Sequence, residues 1–389
     1  MKICSVIAEY NPLHNGHLRH INFVREALHP EKIVVVMGGN FTQRGEPALL
    51  DKYTRATHAI KAGADAVIEL PTVFATANAE LFAKGGVKII NSINNKSAIS
   101  FGVESGTKQE FLTLADALAN ETKEFKKALK LELDKGVSFA KAKTEAVKSA
   151  FNIPFAEELM TNPNNVLALE YTKAIRSFNL GLEIFPFKRT GYHNDKKLYK
   201  NITSATSIRE NVKLNKTRKV KKCVPDYTYK SLEYKTQIYS DLAISAIIQN
   251  GAEMLKKTPD CTEGLENRIS VFAKKFFSLD EIVRETATKR YTETRVRRII
   301  LANLLGITDS LLKESLSSPL YAKILAIKKG SNVLSVLGEK STIPLLTRKG
   351  DESVLNKKAL NCFLKDVQAS ELYNLITKTK QNPFQMLIV

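Results

Sequence analysis

Tryptophan is absent from the 389 residues, and the four cysteines, Cys4, Cys223, Cys261 and Cys362, stand far apart. They lack both the paired spacing of a zinc site and the density of a disulfide scaffold, which leaves reduced core residues as the simplest reading. No apolar run approaches the roughly 20 residues that cross a bilayer. The opening MKICSVIAEYNP has no basic region leading to a small-residue cleavage site, so an untargeted cytoplasmic protein with no membrane partner is expected. No internal repeat or low-complexity tract stands out. Acidic residues are in deficit: 59 Lys and Arg against 40 Asp and Glu give a formal charge of +19. Residues 1–105 carry 11 basic and 9 acidic side chains, so nearly all of the excess lies downstream. A basic surface without a strongly apolar face suits nucleic acid better than membrane, although lysine-rich solubility would give the same charge.

What is present is ample core material, 43% hydrophobic residues in a chain long enough for two domains. The first hundred residues alternate short apolar strands, at 3–8, 32–37, 66–70 and 98–101, with helical stretches. That pattern predicts an α/β fold, a Rossmann-like parallel sheet covered on both faces. A last strand at 182–187 precedes a polar loop. Between Lys213 and Lys230 come seven basic residues and one acid, which reads as a domain boundary. From about residue 232 to 389 the period is helical, with amphipathic runs at 240–255, 265–278, 293–305 and 354–378. Two units are therefore expected, a catalytic domain over 1–212 and a basic, mainly helical domain over 213–389.

Ligands of parallel sheets bind at the carboxyl ends of the strands, where EYNPLHNGH, GGNFTQRGE and FGVESG all fall. In the first, His14 and His17 flank Gly16 at a strand-to-helix turn. Imidazoles three apart at a helix start can donate to phosphate where backbone N–H groups and the helix dipole already favour it. They can also stabilise charge as an α-phosphate is attacked and pyrophosphate leaves. A metal pair would need a partner cluster that the first hundred residues lack, and no protein ligand for magnesium is identifiable. In the second, Arg44, Lys52 and Arg55 supply cations at the same sheet edge, Thr42 and Gln43 supply donors, and Asp51 is placed to cap a helix.

These stretches carry a resemblance. HNGH resembles the HxGH signature of the nucleotidyltransferase superfamily that includes class I aminoacyl-tRNA synthetases. Within it, AEYNPLHNGH, GGNFTQRGEPALLDKYTRA, ADAVIELP, SFGVES, PNNVLALEY, SATSIRE, TEGLENRI and TKRYTETRVRRI are together similar to the bacterial tRNA(Met) cytidine acetate ligase family, in order over most of the chain. The resemblance implies a two-step ligase. ATP activates acetate as acetyl-adenylate with release of pyrophosphate. The acetyl group then passes to N4 of the wobble cytidine of elongator tRNA(Met), giving N4-acetylcytidine without acetyl-CoA. Magnesium is expected with ATP.

The resemblance assigns the nucleotide loop to Ile7, Ala8, Glu9, Tyr10, Asn11, Pro12, Leu13, His14, Asn15, Gly16, His17, Leu18, Arg19 and His20, with His14 and His17 as the catalytic pair. Asn11 is open between shaping the turn with Pro12 and touching ATP. It also gives Gly102 a nucleotide contact, where the residues alone offer a turn glycine. An asparagine of PNNVLALEY touches ATP, with Asn164 and Asn165 undecided and helix capping as the alternative. Arg189 is favoured over Lys188 because its planar fork gives bidentate contact. Residues 203–209, TSATSIR, resemble the phosphate-binding ISSTxIR-like motif of small nucleotidyltransferases, which brings Ser204, Thr206, Ser207 and Arg209 to the β and γ phosphates. Ala205 replaces a serine of that motif, and a Ser207/Glu210 capping box is the structural alternative. Downstream, Lys219, Lys221 and Lys222, with Lys289, Arg290, Arg295, Arg297 and Arg298 around Tyr291, suit tRNA, since guanidinium pairs with phosphate and a ring stacks on an unpaired base. A solvated basic face neutralised by Glu293 is the alternative. A second functional class stays in view, an HxGH enzyme that adenylylates or cytidylylates a small metabolite.

Overall fold

The computed structural model describes residues 3–189, 203–235, 238–318 and 320–389. Most of the expected polar loop after the strand at 182–187 lies outside these residues. Eight strands form one sheet: β1 (Ile3–Ala8), β2 (Lys32–Gly38), β3 (Ala66–Leu70), β4 (Ala98–Val103), β5 (Glu183–Lys188), β6 (Ala322–Ile327), β7 (Leu345–Leu346) and β8 (Leu387–Ile388). Their order is β5-β4-β1-β2-β3-β6-β7, with β8 also on β6. The first five are mutually parallel, as the apolar runs separated by helices require. Alternate residues feed two cores. Ile3, Ile7, Val34, Val36 and Ile68 enter one. Cys4, Val6, Val35, Met37 and Val67 enter the other.

The C-terminal half departs from the helical expectation. β6 (AKILAI) pairs antiparallel with β3, joining residue 66 to residue 327. All six of its residues are buried. A short, continuously apolar run has neither the two-residue nor the 3.6-residue period, so periodicity cannot separate it from a buried helical segment. The sheet therefore crosses the expected boundary at 212/213. The helices at 239–317 also share a core with the sheet, since Tyr239, Ile247, Ile282 and Ile299 cluster with Phe74 and Phe82. The four cysteines are buried and form no disulfide. Among the described residues no helix is long and apolar enough to cross a membrane.

Candidate active site

The turn after β1 places both histidines at the start of the helix Asn15–Leu28. His14 is the N-cap, and its Nδ1 accepts from the Gly16 N–H at 3.1 Å. His17 reciprocates, its Nδ1 accepting from the His14 N–H at 3.3 Å. The pair is thus a capping box built from imidazoles, with rings stacked at 3.7 Å. An accepting Nδ1 carries no proton, so each ring is neutral with its proton on Nε2, consistent with a helix N-terminus that disfavours imidazolium. The two are not equivalent. His17 lines a large cleft at the sheet edge. His14 is 2% exposed and supports it from behind.

Asn11 shapes the turn. Its Oδ1 accepts from the Leu49 N–H at 2.8 Å and its carbonyl from Arg209 Nη1 at 2.8 Å, which ties the turn to two other segments. Among the described residues its buried Nδ2 has no hydrogen-bond partner, and the residue lines the cleft.

The expected cations of the second loop separate. Lys52 is buried against Glu69, with Nζ at 2.7 Å from Oε2. Arg55, fully buried, donates to the carbonyls of Leu50 (2.8 Å), Glu9 (2.7 Å), Gly38 (2.9 Å) and Gly39. Both are structural. Arg44 and Gln43 reach the cleft. Gln43 is fixed by its N–H, which donates to Glu9 Oε1 at 2.7 Å. Asp51 caps the helix Lys52–Lys61 as expected.

On the β4 side the two asparagines point to different places. Asn165, fully buried, holds the FGVESG loop, its Oδ1 accepting from Glu104 N–H at 2.9 Å and its Nδ2 donating to Ser105 Oγ at 2.9 Å. Asn164 lines the cleft, donating to Glu104 and accepting from Arg189 Nη1 at 3.5 Å. Neither caps the helix, whose N-cap is Asn162 with Pro163 following. Gly102 lies within β4, and a Cβ there would sit 3.0 Å from Arg189 Cδ. The glycine is what lets Arg189 lie across the strand into the cleft. His20 donates to Ser100 Oγ at 2.8 Å, because that hydroxyl itself donates to the Phe185 carbonyl at 2.9 Å. Burial pushes His20 down to about 3, with Arg189 adding to the shift, so it too is neutral.

The 203–209 segment opens the helix Ala205–Lys213. Ser204, not Ser207, is the cap, accepting from the Ser207 N–H at 3.1 Å. Ser207 is fully buried, and Thr206 and Arg209 line the cleft. Arg209 Nη2 donates to Thr206 Oγ1 at 3.2 Å.

One cleft thus gathers Ile7 to Asn11, Gly16, His17, His20, Gly102, Asn164, Arg189, Thr206 and Arg209. Pro12, Leu13, His14, Asn15, Leu18, Arg19, Asn165, Ser204 and Ser207 are not in its lining. Phe82, Phe101, Leu167, Tyr171 and Phe187 are, and were missed. Leu167 and Tyr171 follow Asn164 by three and seven residues on one helix face, so helical spacing from Asn164 was a usable signal.

The basic groups divide too. Lys219, Lys221 and Lys222 are exposed on the turn Thr217–Cys223, and the Lys222 carbonyl accepts from Asn15 Nδ2 at 2.9 Å, beside the histidine turn. Lys289 and Arg290 are exposed, Arg290 pairing with Glu263 at 2.7 Å. Arg295 donates to the Asp260 carbonyl at 2.7 Å, and Arg298 pairs with Asp260 at 3.6 Å, so these two brace a loop. Arg297 pairs with Asp280 at 2.7 Å and lines a second cleft. That cleft shares Arg44, Thr206 and Arg209 with the first.

A parallel sheet with a histidine-capped helix and convergent arginines at its carboxyl edge defines a nucleotidyltransferase of the HxGH type. The sequence profile of the HIGH nucleotidyl transferases matches residues 1–386. The chain is 37% identical over 390 residues to the tRNA(Met) cytidine acetate ligase of Caldanaerobacter subterraneus subsp. tengcongensis, covering 97% of this chain and 96% of that protein. It is 36% identical over 392 residues to that of Clostridium perfringens, with the same coverage. The apo crystal structure of Thermotoga maritima TmcAL superposes with a TM-score of 0.93, and the form bound with alpha-thio ATP with 0.90; each is 28% identical and covered in full, as is this chain. The chain belongs to the tRNA(Met) cytidine acetate ligase family.

Proposed function

We propose that this protein is an ATP-dependent ligase of the cytoplasm. It forms acetyl-adenylate from acetate and ATP and transfers the acetyl group to N4 of the wobble cytidine of elongator tRNA(Met). The observation that carries the reading is the convergence of His17, Thr206, Arg189 and Arg209 in one cleft beside Asn11's unpartnered amide. His17 Nε2–H and the two guanidinium groups donate to the triphosphate and stabilise charge on the α-phosphate as the carboxylate oxygen of acetate attacks and pyrophosphate leaves. Among the described residues no group of three or more His, Cys, Asp or Glu is arranged to hold a metal, so magnesium would arrive on the phosphates.

The test is incubation with ATP, carbon-labelled acetate and total tRNA. Label is expected in N4-acetylcytidine of tRNA(Met), dependent on ATP; transfer from acetyl-CoA alone would overturn the reading.

For RNA docking, the exposed Lys219, Lys221 and Lys222 support a phosphate-binding role beside the site. Changing all three to alanine is expected to lower the slope of log affinity against log salt by up to about 3, as measured by filter binding across a salt series. Arg295→Ala and Arg298→Ala should instead lower the melting temperature, because each removes one of the two braces on Asp260.

A further inference from the structure

We infer that Glu46 receives the cytidine's N4 amino group and takes its proton during acetyl transfer. The inference rests on the function proposed above and names a residue for its second step.

Acetyl transfer requires the acceptor amine to approach the adenylate from outside the nucleotide cleft. The second cleft shares Arg44, Thr206 and Arg209 with it, and its walls come from both the sheet edge and the helices after residue 238. Its lining is balanced in charge, with Arg44, Arg209, Lys213 and Arg297 beside Glu46, Glu210, Asp280 and Glu293. A groove for phosphates alone would be basic throughout; a balanced lining suits a base, whose edge both donates and accepts hydrogen bonds. Tyr234, 36% exposed on this cleft with Lys213 at 5.7 Å from its ring, offers a stacking face.

Cytosine presents an N4 amino donor, and a carboxylate is the side chain that accepts from it. Glu46 and Glu210 both line this cleft beside Arg209, and Glu46 is the one that pairs with it. Its Oε1 lies 3.6 Å from Arg209 Nε, and Arg209 belongs to both clefts. The turn that carries it is fixed: Thr42 N–H and Oγ1 donate to the Glu46 carbonyl at 3.0 and 3.1 Å, and Tyr239 donates to the Gly45 carbonyl at 2.9 Å. Gly45 has φ of 76°, and a Cβ there would fall 2.5 Å from the Arg297 carbonyl carbon, so only glycine lets this turn meet the helical half.

In the step itself, the N4 lone pair attacks the acetyl carbonyl carbon of the adenylate and a C–N bond forms. The C–O bond to the phosphate breaks and AMP leaves with that electron pair. N4 gives up one proton to the Glu46 carboxylate, which returns it to water. The adenylation step makes no such demand on Glu46.

The experiment compares full-length wild-type, Glu46→Gln and Glu46→Asp proteins in two assays: acetate-dependent ATP–pyrophosphate exchange, and transfer of labelled acetate to tRNA(Met). In Glu46→Gln, transfer is expected to fall about 10²- to 10⁴-fold while exchange falls less than about tenfold, with Glu46→Asp intermediate in transfer. Equal losses in both assays would make Glu46 only a brace for Arg209 and overturn the inference, as would undiminished transfer. Wild-type protein that exchanges no pyrophosphate with acetate present would overturn the proposed function itself.

Discussion

A His17→Ala protein is expected to carry out acetate-dependent ATP–pyrophosphate exchange about 10²- to 10³-fold more slowly than the parent, with tRNA affinity nearly unchanged. His17 is the member of the stacked pair that lines the nucleotide cleft, and the His14 N–H at its Nδ1 leaves the ring proton on Nε2 as a neutral donor. Losing that donor removes charge stabilisation at the step where pyrophosphate departs. It also removes half of the capping box, a stability cost of about 1 kcal/mol, which a thermal melt separates from the catalytic loss. Exchange kinetics and filter binding check the split. Collapse of tRNA affinity with exchange intact would remove the phosphate role.

Arg55→Met is expected to destabilise the fold by at least about 3 kcal/mol, and Arg55→Lys by nearly as much. The guanidinium is fully buried and satisfies four carbonyls, from Glu9 at the end of β1, Gly38 and Gly39 at the end of β2, and Leu50 before the next helix. Each buried carbonyl left without a donor costs about 1–3 kcal/mol. Lysine brings donors from a single point and cannot span acceptors that the planar fork reaches in several directions. Burial lowers the Arg55 pKa from its ordinary value, and nearby Tyr373, Asp51, Glu9 and Glu69 offset that, so the charge is retained inside the protein. Because these carbonyls belong to the loops that carry Glu9 and Gln43 into the cleft, ATP affinity should fall with stability. Urea denaturation and nucleotide titration together check both effects; a variant as stable as the parent would show that water or neighbouring groups satisfy the carbonyls.

Local pattern was enough for much of the nucleotide site. A buried strand, a turn with Gly16 and an amphipathic helix put His17 at the sheet edge whatever the rest of the chain does. Gly102, the Asn164/Asn165 pair, Arg189 and Arg209 are legible from residue chemistry and resemblance. Their division of labour was not readable. Asn164 and Asn165 are adjacent and identical in type, and only the position of Glu104 and Ser105 puts one in the cleft lining and makes the other a loop brace. Cationic residues are hard to sort for a related reason. Lys52, Arg55, Arg295 and Arg298 look like free charge in sequence, but long side chains bury their stems and find partners that lie 5 to 46 residues away.

The sequence by itself determined the parallel βα beginning, the histidine turn at its carboxyl edge and the excess of basic charge after residue 105, because each depends on neighbouring residues or on composition. Only the tertiary structure decided that β6 returns to pair with β3, that the helices after residue 238 share a core with the sheet, and that a second cleft opens beside the nucleotide site. Strand pairing across more than 250 residues and the meeting of two surfaces are fixed by packing and hydrogen-bond satisfaction over the whole chain, which leave no local period to read.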